Sequence, residues 1–289
     1  MAKYLDALAK AQQERESKRP PYRDRPAPDQ PRPGSAGETA SPRLPASVDP
    51  SVASQRILSE KLVCAHDIQS PITEQLRQIR TNLETVLAEH LSKLILVSSP
   101  IAGDGKTLVT SNLAVVFADN PDEHVLVVDA DMRKPELHRM FDVRSLTPGL
   151  SEYLSGQAVL DEVIRPTVLP NLKVIPAGRR PEKPTVLLGG ERMAHLRAEL
   201  NERFQWVLFD TPPLLPVSDA SVLGQECVGT ILVVRMGHTH RSVINRAQEH
   251  LAELRLPVLG CILNDFASLG RDNDYYYKYY AKKNTGNAG

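Results

Sequence analysis

"PIAGDGKTLVTSNLAVVFA", residues 100–118, joins a turn carrying Gly103 and Gly105 directly to an apolar helix. The run ahead of it, "KLILVSS" at 93–99, reads as a buried strand. Two glycines let backbone N–H groups turn inward around phosphate oxygens, and the helix N-terminus adds a positive partial charge. In that setting Lys106 is placed to reach the β- and γ-phosphates, and the Thr107 hydroxyl to ligate magnesium. Ala102, Gly103, Asp104, Gly105, Lys106, Thr107 and Leu108 are therefore the expected nucleotide-binding stretch. The usual GxxxxGK[ST] pattern has glycine where this chain has Pro100, whose φ is fixed and which lacks an N–H. The loop entry must differ from the common form, while its phosphate-facing half is intact.

Working outward, the runs "HVLVVDAD", "LKVIPAG", "WVLFDTPP", "TILVVR" and "VLGCILND" are apolar, rich in β-branched residues and separated by helix-length segments. Strands with no polar face predict a mostly parallel, doubly wound sheet with helices on both faces, an α/β fold of the P-loop NTPase class. "SPITEQLRQIRTNLETVLAEH" predicts a helix with a Ser-Pro entry and apolar positions at Ile72, Leu76, Ile79, Leu83 and Val86.

Ligands of open α/β sheets bind beyond the carboxyl ends of the strands, where the acidic residues of this chain collect. "VLVVDADMR" puts Asp129 and Asp131 on one side of a strand end, with Arg133 just beyond. Bare carboxylates there repel each other, and magnesium with a phosphate chain removes the conflict. "WVLFDTPP" delivers Asp210 to the same edge, the usual partner of the magnesium held by a P-loop hydroxyl.

Composition limits the partners. Lys plus Arg equals Asp plus Glu at 35 each, so no global charge points to nucleic acid. The cysteines Cys64, Cys227 and Cys261 are far apart and form no CxxC pair, which argues against a zinc site or a disulfide framework and fits a reducing cytoplasm. No apolar run reaches the length of a spanning helix. Nine prolines between Pro20 and Pro50 predict a disordered linker, preceded by a short helix bearing Tyr4, Leu5 and Leu8. The expected organisation is 1–60 as N-terminal helix plus linker, 61–270 as the nucleotide-binding domain, and 271–289 as a flexible tail. That tail holds Tyr275, Tyr276, Tyr277, Tyr279 and Tyr280, five of the eight tyrosines in the protein.

Together, "GDGKT", "VLVVDADMR", "VLFDTPP" and the tyrosine cluster resemble the bacterial tyrosine kinases of capsular and exopolysaccharide synthesis, over roughly residues 60–285. The long N-terminal extension resembles that of kinases accompanying exosortase-type polysaccharide systems. The resemblance implies an ATP- and Mg²⁺-dependent autokinase whose acceptors are the tail tyrosines. Lys106, Asp129, Asp131, Arg133 and Asp210 are then its catalytic residues, Asp129 as base, and Thr107, Asp131 and Asp210 hold the metal. It also implies a cytoplasmic module recruited to the plasma membrane by a membrane-spanning chain-length regulator, and a cognate tyrosine phosphatase. Members assemble through a helix bearing ExxRxxR, matched here by Glu74, Arg77 and Arg80, and modify one another's tails in a homo-oligomer, expected as a ring. Spacing alone leaves those three residues equally consistent with a solvated helix face.

Two other classes remain in view. A partition or division-site ATPase switches dimers without modifying anything, but such proteins carry a lysine four positions before the second loop glycine, where this chain has Ile101. A nucleotide-binding adaptor would use the tyrosines as an adhesive surface. His238 and His240 read as loop residues, and Asn264 as either an adenine contact or a strand-end cap.

Overall fold

The computed structural model describes residues 58–90, 93–143 and 148–265. In chain order the elements are α1 (Val63–His66), α2 (Pro71–Val86), β1 (Leu94–Ser98), α3 (Lys106–Phe117), β2 (Val125–Asp129), α4 (Leu137–Met140), α5 (Leu150–Leu154), α6 (Leu160–Val163), β3 (Arg165–Pro166), β4 (Leu172–Ile175), α7 (Pro184–Leu188), α8 (Glu191–Arg203), β5 (Trp206–Asp210), α9 (Asp219–Gly224), β6 (Gly229–Arg235), α10 (Arg241–Glu253) and β7 (Val258–Asn264).

The six apolar runs become β1, β2, β4, β5, β6 and β7, parallel strands of a seven-stranded sheet ordered β3-β4-β2-β5-β1-β6-β7. The exception is β3, two residues antiparallel to β4 at one edge. It has no apolar pattern of its own to announce it.

Alternate strand residues feed two separate cores. Leu94, Leu96, Leu126, Val128, Val207 and Phe209 pack with α5, α8 and α10 on one face. Ile95, Val97, Val125, Val127, Trp206 and Leu208 pack with α2 and α3 on the other. Neither face of β1, β2 or β5 meets water, which is why their sequences are uniformly apolar. The far edge differs. β7 is largely exposed, with Val258 and Leu263 open to solvent, because among the described residues no further strand pairs with its outer edge.

The P-loop helix α3 lies between the sheet and α2, so it is buried nearly all round, from Val109 through Phe117. The Phe117 ring stacks on Trp206 at 4.2 Å. Helix α2 begins as its sequence predicts, the Ser70 hydroxyl accepting from the Thr73 N–H with Pro71 at the first turn. Its buried stripe is Thr73, Leu76 and Leu83, whereas Ile72 and Val86 are exposed.

The ExxRxxR residues on α2 divide in role. Arg77 is half-exposed and reaches Asp119 at 3.0 Å, the Ile68 carbonyl at 2.9 Å and Glu74 at 3.7 Å. Arg80 is tucked in, donating to the Val116 carbonyl (3.0 Å) at the end of α3 and pairing with Glu84 (2.6 Å) and Glu123 (3.2 Å). A cation at a helix C-terminus satisfies carbonyls that the helix itself cannot. Within one subunit, then, Arg80 serves the P-loop helix and not a free face.

Removing these two side chains should have unequal effects. Arg80→Ala is expected to cost about 1–3 kcal/mol by removing a largely buried, charged donor from the end of α3, Glu84 and Glu123, whereas Arg77→Ala loses exposed pairs worth about 1 kcal/mol or less. Thermal denaturation of the two variants measures the difference.

Candidate active site

The site lies where the carboxyl ends of β1, β2 and β5 converge. The chain leaves β1, crosses the loop, and enters α3 with Gly105 as N-cap at φ 87°. Gly103 also has positive φ, at 93°. At Gly105 more than backbone freedom is required, since an added Cβ would stand 2.1 Å from Asn264 Nδ2.

Thr107, in the first turn of α3, donates to Asp210 Oδ2 at 2.6 Å. Asp210 ends β5 directly opposite Asp129, the last residue of β2, in the parallel register. Both carboxylates are fully buried. Asp129 Oδ2 accepts from the Leu137 N–H at 3.1 Å, but Asp129 Oδ1 and Asp210 Oδ1 have no hydrogen-bond partner. Two orphaned buried oxygens on neighbouring strand ends fit a divalent cation, which favours hard oxygen ligands. Among the described residues no three His, Cys, Asp or Glu side chains form a ready metal cluster, so such a cation would draw further ligands from phosphate and water.

The electrostatics follow from this burial. Desolvation, then the charge of Asp210, pushes the Asp129 carboxyl well above the usual range. Desolvation raises Asp210 to about 7, against the pull of Lys106 and the Thr107 hydrogen bond. Lys106 Nζ rests 3.3 Å from Asp131 Oδ2, and Asp131 Oδ1 accepts from the Lys134 N–H at 3.0 Å. Arg133 is held by Asp219 through Nε (2.6 Å) and Nη2 (3.1 Å).

So the structure brings together Lys106, Thr107, Asp129, Asp131 and Asp210, with Arg133 beside them. Asp104 plays a different part from its loop neighbours. Its buried carboxylate accepts from the Thr239 hydroxyl and from the Arg235 N–H at 3.4 Å, which ties the loop to the end of β6. Asn264 donates from Nδ2 to the Asp104 carbonyl at 2.9 Å and accepts the Asp265 N–H at 2.9 Å, so its amide serves the loop as a strap. His238 lies on the loop after β6, its Nε2 3.2 Å from the Ala102 carbonyl. Sequence reasoning did not foresee these outer contacts, nor the open groove of about 850 Å³ running from Gly103 and Gly105 past Leu108 to Ile72 and Ile79 on α2. Glu74 lines that groove. Tyr275, Tyr276, Tyr277, Tyr279 and Tyr280 lie outside the described residues.

A strand, a glycine turn, a helix that begins at lysine, and a hydroxyl bonded to the aspartate of an adjacent strand define a P-loop NTPase. A family model described as "ParA: NUBPL iron-transfer P-loop NTPase" matches residues 90–287. The chain is 34% identical over 227 residues to tyrosine-protein kinase YwqD of Bacillus subtilis, covering 78% of this chain and 94% of that one. It is 35% identical over 192 residues to tyrosine-protein kinase ptk of Acinetobacter johnsonii, covering 66% of this chain but only 26% of that longer protein. The solved kinase domain of Escherichia coli tyrosine kinase ETK superposes with a TM-score of 0.67 at 33% identity, covering 70% of this chain and 79% of that one. The chain belongs to the bacterial tyrosine kinase family.

The buried carboxylates predict a pH-dependent stability. Because the folded pKa of Asp210 is raised from 3.8 to about 7, the native state keeps a proton that the unfolded chain has released. Its stabilising contribution is complete below about pH 4 and lost as pH rises through 7. Asp210→Asn should therefore melt higher than wild type at pH 8 without nucleotide, by roughly 2–4 °C per kcal/mol recovered, and show no gain at pH 4. Parallel melts at the two pH values check this.

Proposed function

We propose that the protein is an ATP-dependent protein-tyrosine autokinase that phosphorylates its own C-terminal cluster, Tyr275, Tyr276, Tyr277, Tyr279 and Tyr280. The observation that carries the reading is the meeting of Thr107, Asp129 and Asp210 at one buried point, in a family whose members bear the name tyrosine-protein kinase. Kinase domain 61–270 then stands between an N-terminal extension, 1–60, and the acceptor tail, 271–289.

The chemistry asked of the chain is modest. A phenol with a pKa near 10 is a weak nucleophile at pH 7 and needs a base close by. Asp129 takes the phenolic proton, directly or through water, and burial holds its carboxyl well above the usual range, which makes its carboxylate a stronger base. The phenol oxygen bonds to the γ-phosphorus as the bond to the ADP oxygen breaks, so one proton reaches the carboxylate and ADP leaves. Lys106 exchanges Asp131 for the β- and γ-phosphates, and backbone N–H groups from Gly103 to Thr107 surround them. The oxygens of Thr107 and Asp210, with Asp131, would hold Mg²⁺, which would supply charge neutralisation along the phosphate chain. The groove beside Leu108 and Ile72 takes the nucleoside end.

Each added phosphate brings about −1.5 to −2 charges, enough for a modified tail to leave an acidic site. In this reading subunits present tails to one another in a homo-oligomer, a ring joined near α2, where Glu74 and Arg77 are the more exposed members of ExxRxxR. A membrane-spanning chain-length regulator recruits and activates the module at the inner membrane face. A tyrosine phosphatase resets it, and the cycle controls exopolysaccharide or capsule polymerisation and export. The ParA-type match sustains the second reading, a nucleotide switch that modifies nothing.

Incubation with Mg-ATP and mass spectrometry of the tail separates the two. Phosphate is expected on residues 275–280, reduced about 10²-fold or more in Lys106→Met. ATP turnover with an unmodified tail would favour the switch.

A further inference from the structure

Arg133 and Asp219 meet across 86 residues of chain at the rim of the site. Asp219 is 1% exposed, and both of its oxygens are committed: Oδ2 to Arg133 Nε, Oδ1 to Arg133 Nη2 and to the Thr185 hydroxyl of α7. The arginine side chain, in contrast, remains 35% exposed. A buried carboxylate gripping one edge of a half-open guanidinium fixes the plane of the fork and leaves its remaining edge turned outward.

The anchor is itself referenced to the P-loop. After Asp210 the chain is pinned to the loop entry by a run of hydrogen bonds. The Thr211 N–H and hydroxyl both donate to the Val97 carbonyl (3.2 and 2.9 Å), the Ser98 hydroxyl donates to the Pro212 carbonyl (2.8 Å), and the Leu214 N–H donates to the Ser99 carbonyl (2.8 Å). Pro212 and Pro213 stiffen this stretch further. Four residues beyond Leu215 the segment delivers Asp219, which grips Arg133, which is two residues from Asp131, the partner of Lys106. The path closes on the P-loop at both ends.

Net stability is a poor reason for such a pair, because desolvating two charges offsets most of their attraction. Orientation is what a bidentate, buried anchor supplies. We propose that Asp219, supported by Thr185, is a positioning residue that presets Arg133 toward the phosphoryl group in transfer, or toward the phosphate newly made on tyrosine. Both targets present the same chemistry, a multiply charged phosphoryl oxygen set matched to a planar donor. This inference rests on the kinase reading above.

The test compares Asp219→Asn, Arg133→Ala and the double variant for tail phosphorylation under saturating and limiting Mg-ATP, with affinity for a fluorescent ADP analogue measured alongside. Asp219→Asn should lower kcat about 10- to 100-fold while nucleotide affinity and KM for ATP change less than about twofold. The double variant should be no worse than Arg133→Ala alone, because both remove one function. A merely structural Asp219 would instead lower affinity and kcat together and multiply the loss of Arg133→Ala. Should Asp219→Asn fail to fold, Thr185→Val deletes only the supporting hydroxyl, and a kcat loss of a few-fold at unchanged affinity is expected. An Asp219→Asn protein as active as an active wild type overturns this inference alone. A wild type that binds the ADP analogue yet never forms phosphotyrosine overturns the kinase reading and this inference with it.

Discussion

Two carboxylates, Asp129 and Asp210, end adjacent parallel strands at the same level, both shut off from the protein surface. Keeping two carboxylates there is costly. Burial favours their neutral forms, each leaves one oxygen unsatisfied, and the charge of Asp210 adds to the reluctance of Asp129 to ionise. A sheet assembled for stability alone would put apolar residues there, so the cost is best explained by a positively charged occupant held together with phosphate. The Thr107 hydroxyl, 2.6 Å from Asp210, and Lys106, resting on Asp131, keep the site ordered meanwhile.

The loop facing those carboxylates is held from outside as well as from within. Asp104, Asn264 and His238 fasten it to the ends of β6 and β7, and Arg80 closes the far end of α3. A phosphate cradle works by presenting N–H groups already aimed, so that little reorganisation accompanies binding. Here that aim is set by side chains from at least three elements other than the loop's own helix. Asp219 extends the same logic to the opposite rim, where Arg133 stands.

Much of this was legible in the sequence, and the division follows contact range. The glycine turn, the lysine, the hydroxyl and the apolar strands are local patterns, and each of the six runs became a strand because period and burial agree. Asp129, Asp131 and Asp210 could be placed at one edge because parallel strands must end there. What escaped was long-range. Asp219 lies 86 residues from Arg133, and Asn264 is 160 from Asp104, so no spacing rule links them. Asn264 illustrates the limit well. A strand-end asparagine has several chemically reasonable partners, and only the close approach of β7 to Gly105 selects the loop carbonyl. Arg80 is similar, since on a helical wheel it looks like its neighbour Arg77, and packing against α3 alone separates them. The two-residue strand β3 has no pattern to read.

The central claim, that the paired carboxylates exist to hold a cation with its nucleotide, has a direct calorimetric signature. Titration of Mg-ADP at pH 6.5 in buffers of different ionisation enthalpy counts protons exchanged on binding. Carboxyls raised toward neutrality must ionise as the cation arrives, so net proton release beyond that of the nucleotide itself is expected, reduced in Asp210→Asn. Binding with no such release, unchanged by that substitution, would contradict the account.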